Sequence, residues 1–97
     1  QIIAYATPPT ITVLTSTNLT YNLSSLNLSF SVSAVNYPVN YSVTVENGRI
    51  LDKITNEEVS DNIILNLANG TNRVLIRAVD RNRNKAFAPI LINTTLQ

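Results

Sequence analysis

Leu26–Val35 reads LNLSFSVSAV. Leu26, Leu28, Phe30, Val32 and Ala34 fall on one side, and Asn27, Ser29, Ser31 and Ser33 on the other. A period of two over ten residues is a strand with one buried and one wet face. Working outward, Val39–Val45 repeats the pattern, with Val39, Tyr41, Val43 and Val45 against Asn40, Ser42 and Thr44. Thr10–Leu14 (TITVL) is β-branched and alternating, a first strand. Thr15–Ser25 reads as loop with a short edge piece at Leu19–Tyr21. Asn47-Gly48 predicts a type I′ hairpin turn, with Arg49–Thr55 as a weaker returning strand. Asn56–Asp61 reads as a charged loop and Ile63–Ala68 as a strand. Asn69-Gly70 predicts a second hairpin, leading into Asn72–Asp80. After the Arg81–Lys85 loop, Phe87–Thr95 closes the chain, and Pro89 marks an edge strand or bulge. No apolar period of 3.6 residues runs far enough for a helix. The expectation is all-β: a β-sandwich of about seven short strands.

Composition narrows the function. Charged residues make up 13% of the chain, about half the usual share. Asn, Thr and Ser replace them, at 14, 11 and 8 residues. A net charge of +1 gives no footprint for nucleic acid. No run of 18 apolar residues is present, so no membrane span is expected. The chain has neither Cys nor His. It therefore lacks thiol chemistry and the commonest general base and metal ligand. Neither an enzyme, a metal site nor a cofactor is expected. The chain starts at Gln1 rather than Met, and the expectation is a processed extracellular product whose signal peptide has been removed.

The N-terminal stretch Gln1–Pro9 (QIIAYATPP) departs from the rest. Ile2, Ile3, Ala4, Tyr5 and Ala6 are apolar or aromatic, and no residue in the stretch is charged. Pro8-Pro9 then forms a short, stiff linker. An apolar strand does not stay in water: it folds back or completes another sheet. The expectation is a donor strand and linker over residues 1–9 and a sandwich head over 10–97. The tail would fill a missing core column in the next copy, leaving a truncated head unstable. Seven candidate strands after Pro9 stand against that gap, since they already suffice for a complete sandwich.

Six Asn stand in the Asn-x-Ser/Thr acceptor pattern: Asn18, Asn22, Asn27, Asn40, Asn69 and Asn93. This composition by chance gives roughly three such sites. N-linked glycans are expected, and they would give a nearly uncharged surface its solubility. Arg81, Arg83 and Lys85 read as a solvated basic turn, and Glu57, Glu58 and Asp61 as a solvated acidic loop without calcium spacing. Asp80 reads as a turn-capping carboxylate, and Tyr41 as a core or rim side chain. Lys53 and Lys85 are the two lysines.

Asn69–Lys85, NGTNRVLIRAVDRNRNK, resembles the closing strands of prokaryotic surface Ig-like domains. Ala78-Val79-Asp80 and Asn84 stand where such domains carry Ala-x-Asp and a turn Asn. Pro8–Val13 is similar to their opening, and the resemblance implies an Ig-like β-sandwich. The apolar tail and the sequons also resemble the pilin of the archaeal thread, a cell-surface filament. That resemblance implies a glycosylated subunit joined to copies of itself by donor-strand complementation. Ig-like domains of surface pilins can also carry a Lys–Asn or Lys–Asp isopeptide bond, for which Lys53 and Lys85 are the candidates. The alternative is a single Ig-like module of an adhesin or S-layer protein, which would stay monomeric.

Overall fold

The computed structural model describes residues 7–16 and 20–95. The tail residues Ile2, Ile3, Ala4, Tyr5 and Ala6, and the sequon Asn18, lie outside the described residues. Eight strands follow in order: β1 (Thr10–Val13), β2 (Thr20–Tyr21), β3 (Ser25–Ser33), β4 (Val39–Val45), β5 (Gly48–Thr55), β6 (Val59–Asn66), β7 (Gly70–Val79) and β8 (Lys85–Thr94). They form two sheets, one ordered β1-β3-β6 and the other β2-β8-β7-β4-β5. The molecule is thus the expected all-β sandwich, with an eighth strand in β2. Connections at 34–38, 56–58 and 67–69 cross from sheet to sheet, and this interleaving gives the Ig-like arrangement. No helix among the described residues is long and apolar enough to cross a membrane.

Alternation places the core. Leu28, Phe30 and Val32 of β3 are fully buried against Val39, Tyr41 and Val43 of β4 and Val74, Ile76 and Ala78 of β7. Leu65, Ile90 and Ile92 complete it. Phe30 meets Tyr41 edge to face, ring centroids 6.0 Å apart, the orientation the ring quadrupoles favour. The inward residues read from the sequence are the inward residues of the sandwich.

Three expectations change. Asn69-Gly70 is not a hairpin, because β6 and β7 lie in different sheets. Gly70, at φ 106°, lets the chain cross over, in a conformation that a residue with a Cβ resists. The β4–β5 turn lies one residue early: Val45 pairs with Gly48, so Glu46 and Asn47 are central, and Glu46 holds the positive φ of 56°. Its N–H reaches the Arg73 carbonyl at 2.8 Å, and its carboxylate accepts the Arg73 N–H at 2.6 Å. These bonds tie Glu46 to β7, outweighing the Asn-Gly preference. Finally, residues 59–61 belong to β6 and not to a loop. Asp61 faces inward there, and its charge masks the strand period.

Pairing also sorts the connections into two poles. Thr10 lies opposite Ser33, Val32 opposite Val59, Val39 opposite Thr55 and Val79 opposite Lys85. Residues 34–38, 56–58 and 80–84 therefore share one pole with Thr7–Pro9. There Thr7 and Pro8 are exposed and Pro9 is buried. Thr7, where the described residues begin, thus stands at this pole, beside the basic and acidic loops.

Candidate functional interface

The two outer faces differ in chemistry. On the β1-β3-β6 sheet, Thr10, Thr12, Ser25, Asn27, Ser29, Ser31, Ser33, Ser60, Asn62 and Asn66 point away from the core, with Ile64 the apolar exception. No charge stands among them. The other sheet turns out Arg73, Arg77 and Lys85 together with exposed Ile54, Phe87 and Leu91.

The sequons divide by surroundings. Asn22 and Asn69 lie in exposed connections, with exposed Ser24 and Thr71 as their hydroxyl residues. Asn27 is exposed on the uncharged face. Asn93 is exposed, and its amide oxygen accepts from the Thr71 hydroxyl at 2.6 Å. Asn40 is half-buried: its amide nitrogen donates to Asp52 Oδ1 at 2.8 Å and to the Lys53 carbonyl at 3.0 Å. Its hydroxyl partner Ser42 is 4% exposed. An open depression of about 360 Å³ adjoins Asn40, lined by Pro38, Ile54, Arg77, Val79, Asp80 and Arg81.

Where β5 and β6 face one another, the sandwich closes on a polar clasp. Tyr41 lies opposite Lys53 in register, and Phe30 opposite Asp61, so both charged residues point inward. Lys53 Nζ donates to Asp61 Oδ2 at 3.1 Å, and the Tyr41 hydroxyl donates to the same oxygen at 2.8 Å. The Asn62 N–H donates to Asp61 Oδ1 at 2.8 Å. Burial alone would raise the Asp61 carboxyl, but the bonds from Tyr41, Asn62 and Lys53 more than reverse this and lower it. Tyr41 moves the other way: burial first, then the bond to Asp61 and its charge, push the phenol up to about 12. A folded pKa above the ordinary 10.0 means that this contribution is complete below pH 10 and lost as pH rises through about 12. An ultraviolet titration should therefore show a tyrosine ionising at about 12. A tyrosine titration already complete near 10 would contradict the clasp.

Of the two lysines, the geometry sets Lys53 against a carboxylate of the opposite sheet, while Lys85 stands exposed at the start of β8. Amide formation needs a neutral amine, a protonated acid and an apolar pocket. Asp61 is held ionised and Lys53 is exposed, an arrangement that favours an ion pair. An intact mass short by one water would reveal an amide at this pair instead.

Asp80 is 5% exposed and holds the β7–β8 turn. Oδ1 accepts from the N–H groups of Asn82 at 2.8 Å and Asn84 at 2.9 Å, and Oδ2 accepts from the Asn84 amide at 2.9 Å. Burial raises its carboxyl, and the bonds from Asn84, Asn82 and Asn36 outweigh that and lower it. For Asp61 and Asp80 the contribution is present above the ordinary carboxyl range and lost as pH falls through the lowered folded values. Melting temperature should thus drop on acidification below about pH 4, and Asp80→Asn should flatten that drop. An unchanged acid profile in the variant would contradict the cap.

The fold is an all-β sandwich of two sheets. No family model, curated protein or solved structure matches the chain.

Proposed function

We propose that the protein is a structural subunit of an extracellular, glycosylated filament, joined head to tail by its N-terminal strand. The observation that carries this reading is the uncharged N-terminal stretch with the apolar run Ile2–Ala6, followed by Pro8-Pro9 at one pole of the sandwich. The partner is another copy of the chain. Such a heterologous contact does not close on itself, so it grows into a thread. Light scattering on the purified chain should give masses that rise with concentration in steps of 10.7 kDa. A constant mass of one chain would favour the second reading, a single Ig-like module of an adhesin or S-layer protein. That reading draws on the core, whose buried apolar cluster among the described residues runs from Leu28 to Ile92. An added strand would on this evidence extend a sheet edge, rather than fill an empty core column.

Glycan attachment belongs to the same proposal. Peptides containing Asn22, Asn27 and Asn69, from the native source, should be heavier than their sequence mass. Asn40 should be the least occupied if sugar is added to the folded domain, because its amide and Ser42 are engaged or buried. Unmodified masses at all of these sites would remove glycosylation from the account.

A further inference from the structure

We propose that the outer edge of β6 is the acceptor for residues 1–6 of a second copy. The assignment rests on the strand-addition reading above and names the surface that reading needs. Among the described residues β1, β2, β5 and β6 are the edge strands, and β8 is open where β2 does not pair with it. All but β6 are poorly suited. β1 has four residues and β2 has two. β5 carries a register shift opposite Val43/Thr44 and the charged Arg49, Asp52 and Lys53. On β8, the Asp80 N–H to Asn84 carbonyl bond fixes the even-numbered residues as those bonded to β7. The odd-numbered Pro89 thus lacks an N–H on the outward side, where pairing would require one.

β6 has no such obstacle. Its eight residues pair with β3 without a register shift and include neither Pro nor Gly. The Leu67 N–H meets the Ser24 carbonyl at 2.8 Å in the same ladder. Odd-numbered residues therefore bond to β3, and the backbone groups of Ser60, Asn62, Ile64 and Asn66 face outward. Beneath this edge the core is incompletely covered. Inward-facing Val59 and Ile63 are half-buried, while Val32 and Leu28 opposite them are 0% exposed. Ile64 on the outer face is 60% exposed. The edge lies where a four-stranded Ig sheet has its fourth strand, a position left open because β5 joins the other sheet.

The tail fits this position in length, charge and pattern. Six extended residues span about 20 Å, against about 26 Å for the eight of β6. The tail brings no charge, and Asp61, the edge's charged residue, is already paired inward. Ile3 and Tyr5 share one face, two positions apart, and would lie along the inward side of β6 between Val59 and Ile63. Ile2, Ala4 and Ala6 would then lie beside Ile64. To reach its own β6, the tail would have to reverse direction immediately before the stiff Pro8-Pro9 pair and cross β3. A copy stacked beyond the same pole receives it without reversal, parallel to β6, by main-chain pairing with side chains setting register.

Because the chain has no Cys, an engineered pair reports the contact. Cys is placed at Ile2, Ala4 or Ala6 in turn, together with Ile64→Cys, Phe87→Cys on β8 or Ile54→Cys on β5. Mild oxidation should give a ladder of cross-linked multiples with Ile64→Cys, at least tenfold stronger than with the other two. A ladder confined to Phe87→Cys or Ile54→Cys would overturn the β6 assignment and leave strand addition standing. Monomer mass in every pair would overturn both. As a second variant, Ile64→Pro removes an outward N–H and spares the β3 ladder. It should abolish assembly with melting shifted by only a few degrees, and undiminished assembly would overturn the assignment.

Discussion

Phe30→Ala should destabilise the domain by about 3–5 kcal/mol, the cost of emptying a fully buried aromatic site. Phe30 is 0% exposed and stands at the centre of β3, between Leu28 and Val32, with Tyr41 against its edge. The loss has three parts: the apolar area no longer withdrawn from water, the cavity that rigid neighbours on two sheets cannot close, and the aromatic contact. For a domain of this size it is a large fraction of the total stability. Tyr41 would also lose the ring that positions its hydroxyl on Asp61, so the raised Tyr41 ionisation should move back towards 10. Denaturant unfolding measures the first effect and ultraviolet titration the second. A variant that melts within a degree or two of the parent would contradict the packing described here.

Removing residues 1–7 should abolish assembly and leave a folded monomer. Among the described residues the buried apolar cluster runs from Leu28 to Ile92 and packs on both sheets, so melting should change far less than in Phe30→Ala. This differs from what the tail alone suggests, namely a head missing a core column and unstable without it. The peptide QIIAYAT added in trans should bind the truncated head and raise its melting temperature, since a ligand that binds only the folded state stabilises it. Burying Ile3 and Tyr5 contributes about 1.5–3 kcal/mol each before the cost of ordering the tail. A truncated chain that still assembles, or a folded head indifferent to the peptide, would contradict donor-strand joining.

Much of the architecture was legible because alternation is a local signal. Leu28, Phe30, Val32, Tyr41, Val43, Val74 and Ile76 can be turned inward from their spacing alone, and the two sheets confirm them. Asp80 was legible for a related reason: a carboxylate after an apolar strand, followed by Asn82 and Asn84, has backbone N–H groups within reach. What escaped depends on partners distant in sequence. Asp61 reads as loop until Tyr41, twenty residues away, supplies its hydrogen bond. Glu46 takes the turn position because Arg73, on another strand, holds its backbone and carboxylate. Asn69-Gly70 carries the local signature of a hairpin, yet its flanking strands belong to opposite sheets, a matter of topology that no dipeptide encodes. The open β6 edge is likewise visible only once β5 is seen to join the other sheet.

The most direct test of the central claim is negative-stain electron microscopy of surface material from cells that make this protein, with the chain identified in it by mass spectrometry. The account predicts single-file threads one sandwich wide, absent when residues 1–7 are deleted. Surface material that contains the chain but shows no threads, or threads that persist after the deletion, would contradict it.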